Sequence, residues 1–138
     1  MPESNPILIS ALRETAARLS RGVKYEWGHM GRCNCGHLVQ TITNLTDLEI
    51  VEAVENEMNE WTEHARDYCT VTNSRASMIF EKLKSYGFSY EDVMKLEYLS
   101  DRSVLKHIPG DQPLYLRNNK VEDVILYMDT MADMLEHV

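Results

Sequence analysis

Apolar residues recur at helical spacing along most of this chain. Leu8, Leu12, Ala16 and Leu19 share one face behind Asn5-Pro6, a capping residue followed by a first-turn proline, which predicts a helix over 6–21 closed by Gly22. Leu38, Val39 and Ile42 predict a short helix over 35–43 with Asn34 as its cap. In Leu45-Thr46-Asp47-Leu48-Glu49-Ile50, Thr46 and Glu49 form a capping box and Leu45 and Ile50 a hydrophobic staple. The stripe Ile50, Val54, Met58, Trp61, Ala65 and Tyr68 then predicts a long central helix.

The second half of the chain repeats these devices. Thr72 or Asn73 opens a helix with Ala76, Ile79, Phe80 and Leu83 inward, and Gly87 closes it. Ser89 with Asp92, flanked by Phe88 and Val93, starts the next, which runs to about Leu99. Ser100-Asp101 caps a short helix through His107, which Pro109-Gly110 terminates. Asn119 with Glu122 opens the last, on which Val121, Val124, Met128, Met131, Leu135 and Val138 repeat at steps of three and four. Two stretches alternate instead: Val23, Tyr25 and Trp27, and Leu114 and Leu116 around Tyr115, a pattern open to one short two-stranded ribbon. The fold expected is all-α, a compact single domain over 1–138 of six or seven helices.

Composition narrows the function classes. With 138 residues, 43% hydrophobic and 26% charged, the chain is an ordinary globular domain. A net charge of −8 makes it an acidic protein that repels phosphate backbones and anionic membranes, so neither nucleic acid nor membrane is an expected partner. No run of 18 apolar residues and no basic-then-apolar leader occurs, which points to the cytoplasm. Three cysteines cannot all pair, and a Cys33–Cys35 bridge would be strained, so reduced thiols are expected.

The chemistry-bearing residues concentrate over 27–37, Trp-Gly-His-Met-Gly-Arg-Cys-Asn-Cys-Gly-His, which holds two of three cysteines, two of five histidines and three of six glycines. Cys33, Cys35 and His37 alternate, with His29 four residues before Cys33. Thiolate and imidazole are the donors that zinc and iron prefer, so these four form a candidate metal set, although the spacing is not Cys-x-x-Cys. Gly28 and Gly31 allow a tight loop, and Cys35 falls at a helix N-terminus, where the dipole lowers a thiol pKa. Level matching across the connection at 44–46 brings the loop toward Glu60 and His64, which share a face at i, i+4.

Three function classes follow: a zinc- or iron-binding protein, a thiol redox or transfer protein using Cys35 with Cys33, and an interaction module without metal or catalysis. Glu57, Glu60 and Glu63 also fit a plain solvated face, and His107 and His137 fit surface groups near helix C-termini. The last helix's apolar repeat serves either an intramolecular core or a homodimer contact. No phosphate loop, Gly-x-Ser-x-Gly elbow or His-Glu-x-x-His helix is present in the sequence, and no reaction is indicated.

Overall fold

The computed structural model describes residues 1–27, 29, 31–54, 75–108 and 116–138. Among these residues the fold is an all-α bundle of seven helices without a strand: α1 Pro6–Ser20, α2 Asn34–Thr43, α3 Asp47–Val54, α4 Arg75–Ser85, α5 Tyr90–Tyr98, α6 Arg102–Leu105 and α7 Val121–Glu136. The described residues of the Cys/His stretch, 29 and 31–33, precede α2.

Local side-chain chemistry sets most boundaries. Asn5 Oδ1 accepts from Ile7 N at 2.8 Å and opens α1. At α3 the box is reciprocal, Glu49 N to Thr46 Oγ1 at 3.1 Å and Thr46 N to Glu49 Oε1 at 3.0 Å. Ser89 and Asp92 form the same box at α5, and Asp101 caps α6. Gly22 and Gly87 take the left-handed φ of +88° and +85° that ends α1 and α4.

Two starts differ from expectation. The cap of α2 is Cys33, whose sulfur accepts from Gly36 N at 3.4 Å, and Asn34 is the first helical residue. α7 begins behind Lys120 without a side-chain cap, and Asp123 instead accepts from Arg117 N at 2.8 Å. Of the ribbon expected between 23–27 and 114–116, residues 114 and 115 lie outside the described set, and 23–27 is not a strand. The long helix expected through Tyr68 is described only to Val54.

α1 and α7 make the most extensive helix pair of the bundle. Leu8, Leu12, Ala16 and Leu19 are buried from one side, and Val124, Tyr127, Met128, Met131 and Leu135 from the other. The apolar repeat of α7 is therefore largely consumed inside the chain, and at its end only Val138, 77% exposed, faces out. α2 packs against α1, α3, α4 and α5, which makes this short helix the hub of the described bundle.

Candidate functional site

The first six residues of α2, Asn34 through Val39, are all buried. A helix buried all round must satisfy its polar side chains internally. Asn34 does so by pointing Nδ2 at Leu96 O (3.1 Å), Glu97 O (3.2 Å) and Asn118 O (3.1 Å), while its Oδ1 accepts from the Tyr25 hydroxyl. Trp27 Nε1 adds a bond to Glu97 O at 3.2 Å. Leu96 and Glu97 lie in the last turn of α5, where carbonyls lack their i+4 amides and Leu96 O takes only a 3.3 Å bond from Leu99 N, so Asn34 and Trp27 cap that helix. In return Glu97, 5% exposed, accepts from Cys35 N at 2.7 Å and places its carboxylate at the positive end of α2. The two helix ends cap one another.

Cys33 and Cys35 are 2% and 1% exposed and are not joined in a disulfide. Cys35 Sγ donates to Val93 O at 3.2 Å. Burial pushes both thiols well above the ordinary range, and the facing Glu97 carboxylate pushes them the same way. The low pKa expected for Cys35 is thereby overturned. The helix end is present, but desolvation and a buried like-signed neighbour outweigh its dipole.

The histidines face other groups. His37 donates from Nε2 to Lys24 O at 2.7 Å, because a carbonyl can only accept, and its buried Nδ1 has no hydrogen-bond partner among the described residues. Its ring stacks on Tyr25 at 6.1 Å. Burial lowers its pKa, and Arg18 and Arg32 act in the same direction against the Lys24 bond and Asp47. His29 Nδ1 accepts from Gly31 N at 3.1 Å, and its carbonyl takes the amides of Arg32 and Cys33, so residue 29 closes the loop on itself. The loop thus presents its thiols to Glu97 on α5 and its His37 ring to the Lys24–Tyr25 segment. Among the described residues no three His, Cys, Asp or Glu side chains are arranged to hold a metal ion. Glu60 and His64 lie outside the described residues.

Glu97 escaped the sequence reading, yet a signal existed. It follows Val93 by four positions and Leu96 by one, which places a carboxylate on the apolar face of α5. Gly31 is needed for close approach: a Cβ there would lie 2.3 Å from Asp47 O. Gln40 Nε2 also reaches Gly31 O at 2.5 Å, and Arg32 pairs with Asp47 at 2.6 Å, fastening the loop to α2 and the start of α3.

A separate open cleft of about 540 Å³ lies between α6 and the last turns of α7, lined among others by Met1, Lys106, His107, Met134, His137 and Val138. Both histidines donate from Nδ1 to their own helix, His107 to Ser103 O at 2.7 Å and His137 to Asp133 O at 2.8 Å. Each therefore keeps Nε2 as a lone-pair acceptor when neutral. No helix among the described residues is long and apolar enough to cross a membrane. No family model, curated protein or solved structure matches this chain.

Proposed function

We propose that this chain is a non-catalytic interaction domain, in which the Cys/His loop is scaffold and the cleft between α6 and α7 receives the partner. The observation that carries this reading is the burial of both thiols with their pKa values pushed up, because a nucleophilic or redox cysteine needs access and thiolate character. The cleft falls within the size range of ordinary ligand sites and offers an apolar floor at Met134 beside Lys106. It suits a partner segment that presents an apolar residue beside polar groups, since Lys106 and Asp133 both line it. Reduced buried thiols also suit a reducing compartment, which supports a cytoplasmic location. The partner is taken to be another protein rather than a second copy docked through α7, whose apolar face is used by α1.

The test is thiol access and metal content together. Native protein should react with an alkylating agent at Cys33 and Cys35 only as fast as it unfolds, and should carry no stoichiometric metal after purification without a histidine tag. Rapid alkylation of Cys35 in the folded state would replace this reading with the redox one.

One observation favours a second reading, zinc or iron held by Cys33 and Cys35: both thiols face the same carboxylate, Glu97, which would supply a third donor once the three side chains rearranged, since as placed they do not form an ion site. His29 and His37 would have to break their present bonds to Gly31 N and Lys24 O or turn to join them. One equivalent of metal, lost in Cys35→Ser and Glu97→Gln, would establish it. Cys33→Ser should lose the metal too, and because serine keeps a capping atom for Gly36 N that loss would not reflect a broken helix start.

A further inference from the structure

The cleft between α6 and α7 gathers soft donors. His107 and His137 line it and are exposed, and Met134, 6% exposed, forms part of its floor. Each imidazole spends its Nδ1–H on a backbone carbonyl, Ser103 O at 2.7 Å for His107 and Asp133 O at 2.8 Å for His137. The neutral ring is thereby fixed in one tautomer with its lone pair on Nε2. A carbonyl behind the ring is the support that metal-binding histidines ordinarily have. Met134 lies three residues before His137, the C-cap of α7, so the two side chains are neighbours on one helix face, with Cβ atoms about 5–6 Å apart. His107 follows the end of α6 and brings the second imidazole to the same cleft.

The charged groups of the cleft decide which ion suits these donors. Asp133 also lines it, but its Oδ1 is held by Arg13 Nη2 at 3.0 Å. Among the described residues no carboxylate or thiol completes a three-donor group with the histidines, which leaves the thioether as the third donor. Lys106 stands on the same cleft and repels a divalent ion more strongly than a monovalent one. Two imidazoles and a thioether beside an ammonium favour a soft monocation over zinc, magnesium or calcium.

We propose that His107, His137 and Met134 bind monovalent copper, with Nε2 of each ring and the methionine sulfur as its ligands. The site requires neither a docked partner nor a metal at Cys33 and Cys35. Because the cleft opens to solvent, its ion exchanges readily and is lost on purification, whereas an ion among the buried thiols would be retained.

The experiment adds copper(I) without oxygen to the full chain, isotope-labelled at methionine methyls and histidine rings, and follows the NMR signals. Those of Met134, His107 and His137 should move together and saturate together, while His29 stays in place. Met134→Leu keeps the buried volume, and His107→Gln changes an exposed position. Each should raise the copper concentration needed at the two remaining signals about tenfold or more. No movement at Met134, shifts at His29 equal to those at His107, or an undiminished response in the variants would overturn the proposal. Should Met134→Leu fail to fold, His107→Gln decides the matter by the same signals at Met134 and His137.

Discussion

Asn34→Ala should cost about 3 kcal/mol, and the shape-matched Asn34→Asp should cost more. Asn34 has two N–H groups directed at three carbonyls, so one acceptor shares a donor. In the alanine variant each carbonyl keeps another partner: Leu96 O holds Leu99 N at 3.3 Å, Glu97 O holds Trp27 Nε1 at 3.2 Å, and Asn118 O holds the Tyr25 hydroxyl at 3.0 Å. The loss is then two buried hydrogen bonds at about 1 kcal/mol each, plus about 1 kcal/mol for the void left by the amide. Aspartate leaves no void but replaces the donor with an acceptor among three carbonyls and near the buried Glu97. The new carboxylate must ionise without a partner or hold its proton far above the usual range. Its folded pKa is raised, so the penalty grows as pH rises above about 4 and shrinks in acid. Urea unfolding with an unchanged m-value measures all three proteins. A loss below about 1 kcal/mol for alanine, or aspartate more stable than alanine at neutral pH, would refute the cross-capping argument.

Gly31→Ala brings a Cβ to 2.3 Å from Asp47 O and 2.7 Å from Asp47 Cα, and backbone cannot swing aside, so about 3 kcal/mol should be lost. Gly22→Ala meets nothing within 4 Å and carries only the strain of φ +88°, about 1 kcal/mol; the reverse ranking by denaturation would contradict this geometry. Thr46→Ala removes the exposed acceptor for Glu49 N and should cost about 1 kcal/mol, and no measurable loss would mean that the box does not fix the start of α3. His37 has a folded pKa below its ordinary 6.5, so the unfolded chain binds the extra proton and stability falls as pH drops below about 6.5. His37→Gln, which retains a donor for Lys24 O, should flatten that part of the stability profile; an unchanged slope assigns it to other groups.

The features legible in the sequence were those whose partners lie within a turn. The boxes at Thr46–Glu49 and Ser89–Asp92, and the closing glycines Gly22 and Gly87, depend on residues three or four positions apart, and each is where local rules put it. The cap of α2 was misplaced by one residue because Asn34 spends its side chain on α5, 62 and 63 positions away. Cys35 was misjudged for a related reason, since the packing that buries it comes from across the fold, and the Glu97 carboxylate on α5 adds to that effect. Periodicity identified the apolar stripe of α7 but not its partner α1, which lies at the other end of the sequence. Glu60 and His64 fall outside the described residues, so the level matching that selected them has no counterpart here.

The pairing of α1 with α7 also orders events during synthesis. Leu8 and Leu12 leave the ribosome early, yet helix residues such as Met128 and Leu135, which belong to the same core, emerge more than a hundred positions later. Until then an apolar stripe has no native cover and the nascent chain must be kept from self-association. The contact linking Ser4 to Leu135 spans 131 positions, so this small helical protein carries long-range closure that is unusual for helical folds, which tend to assemble quickly from neighbouring segments. Its refolding should be slow for an all-helical chain of this length, and a fragment stopped before Val121 should lack a cooperative unfolding transition.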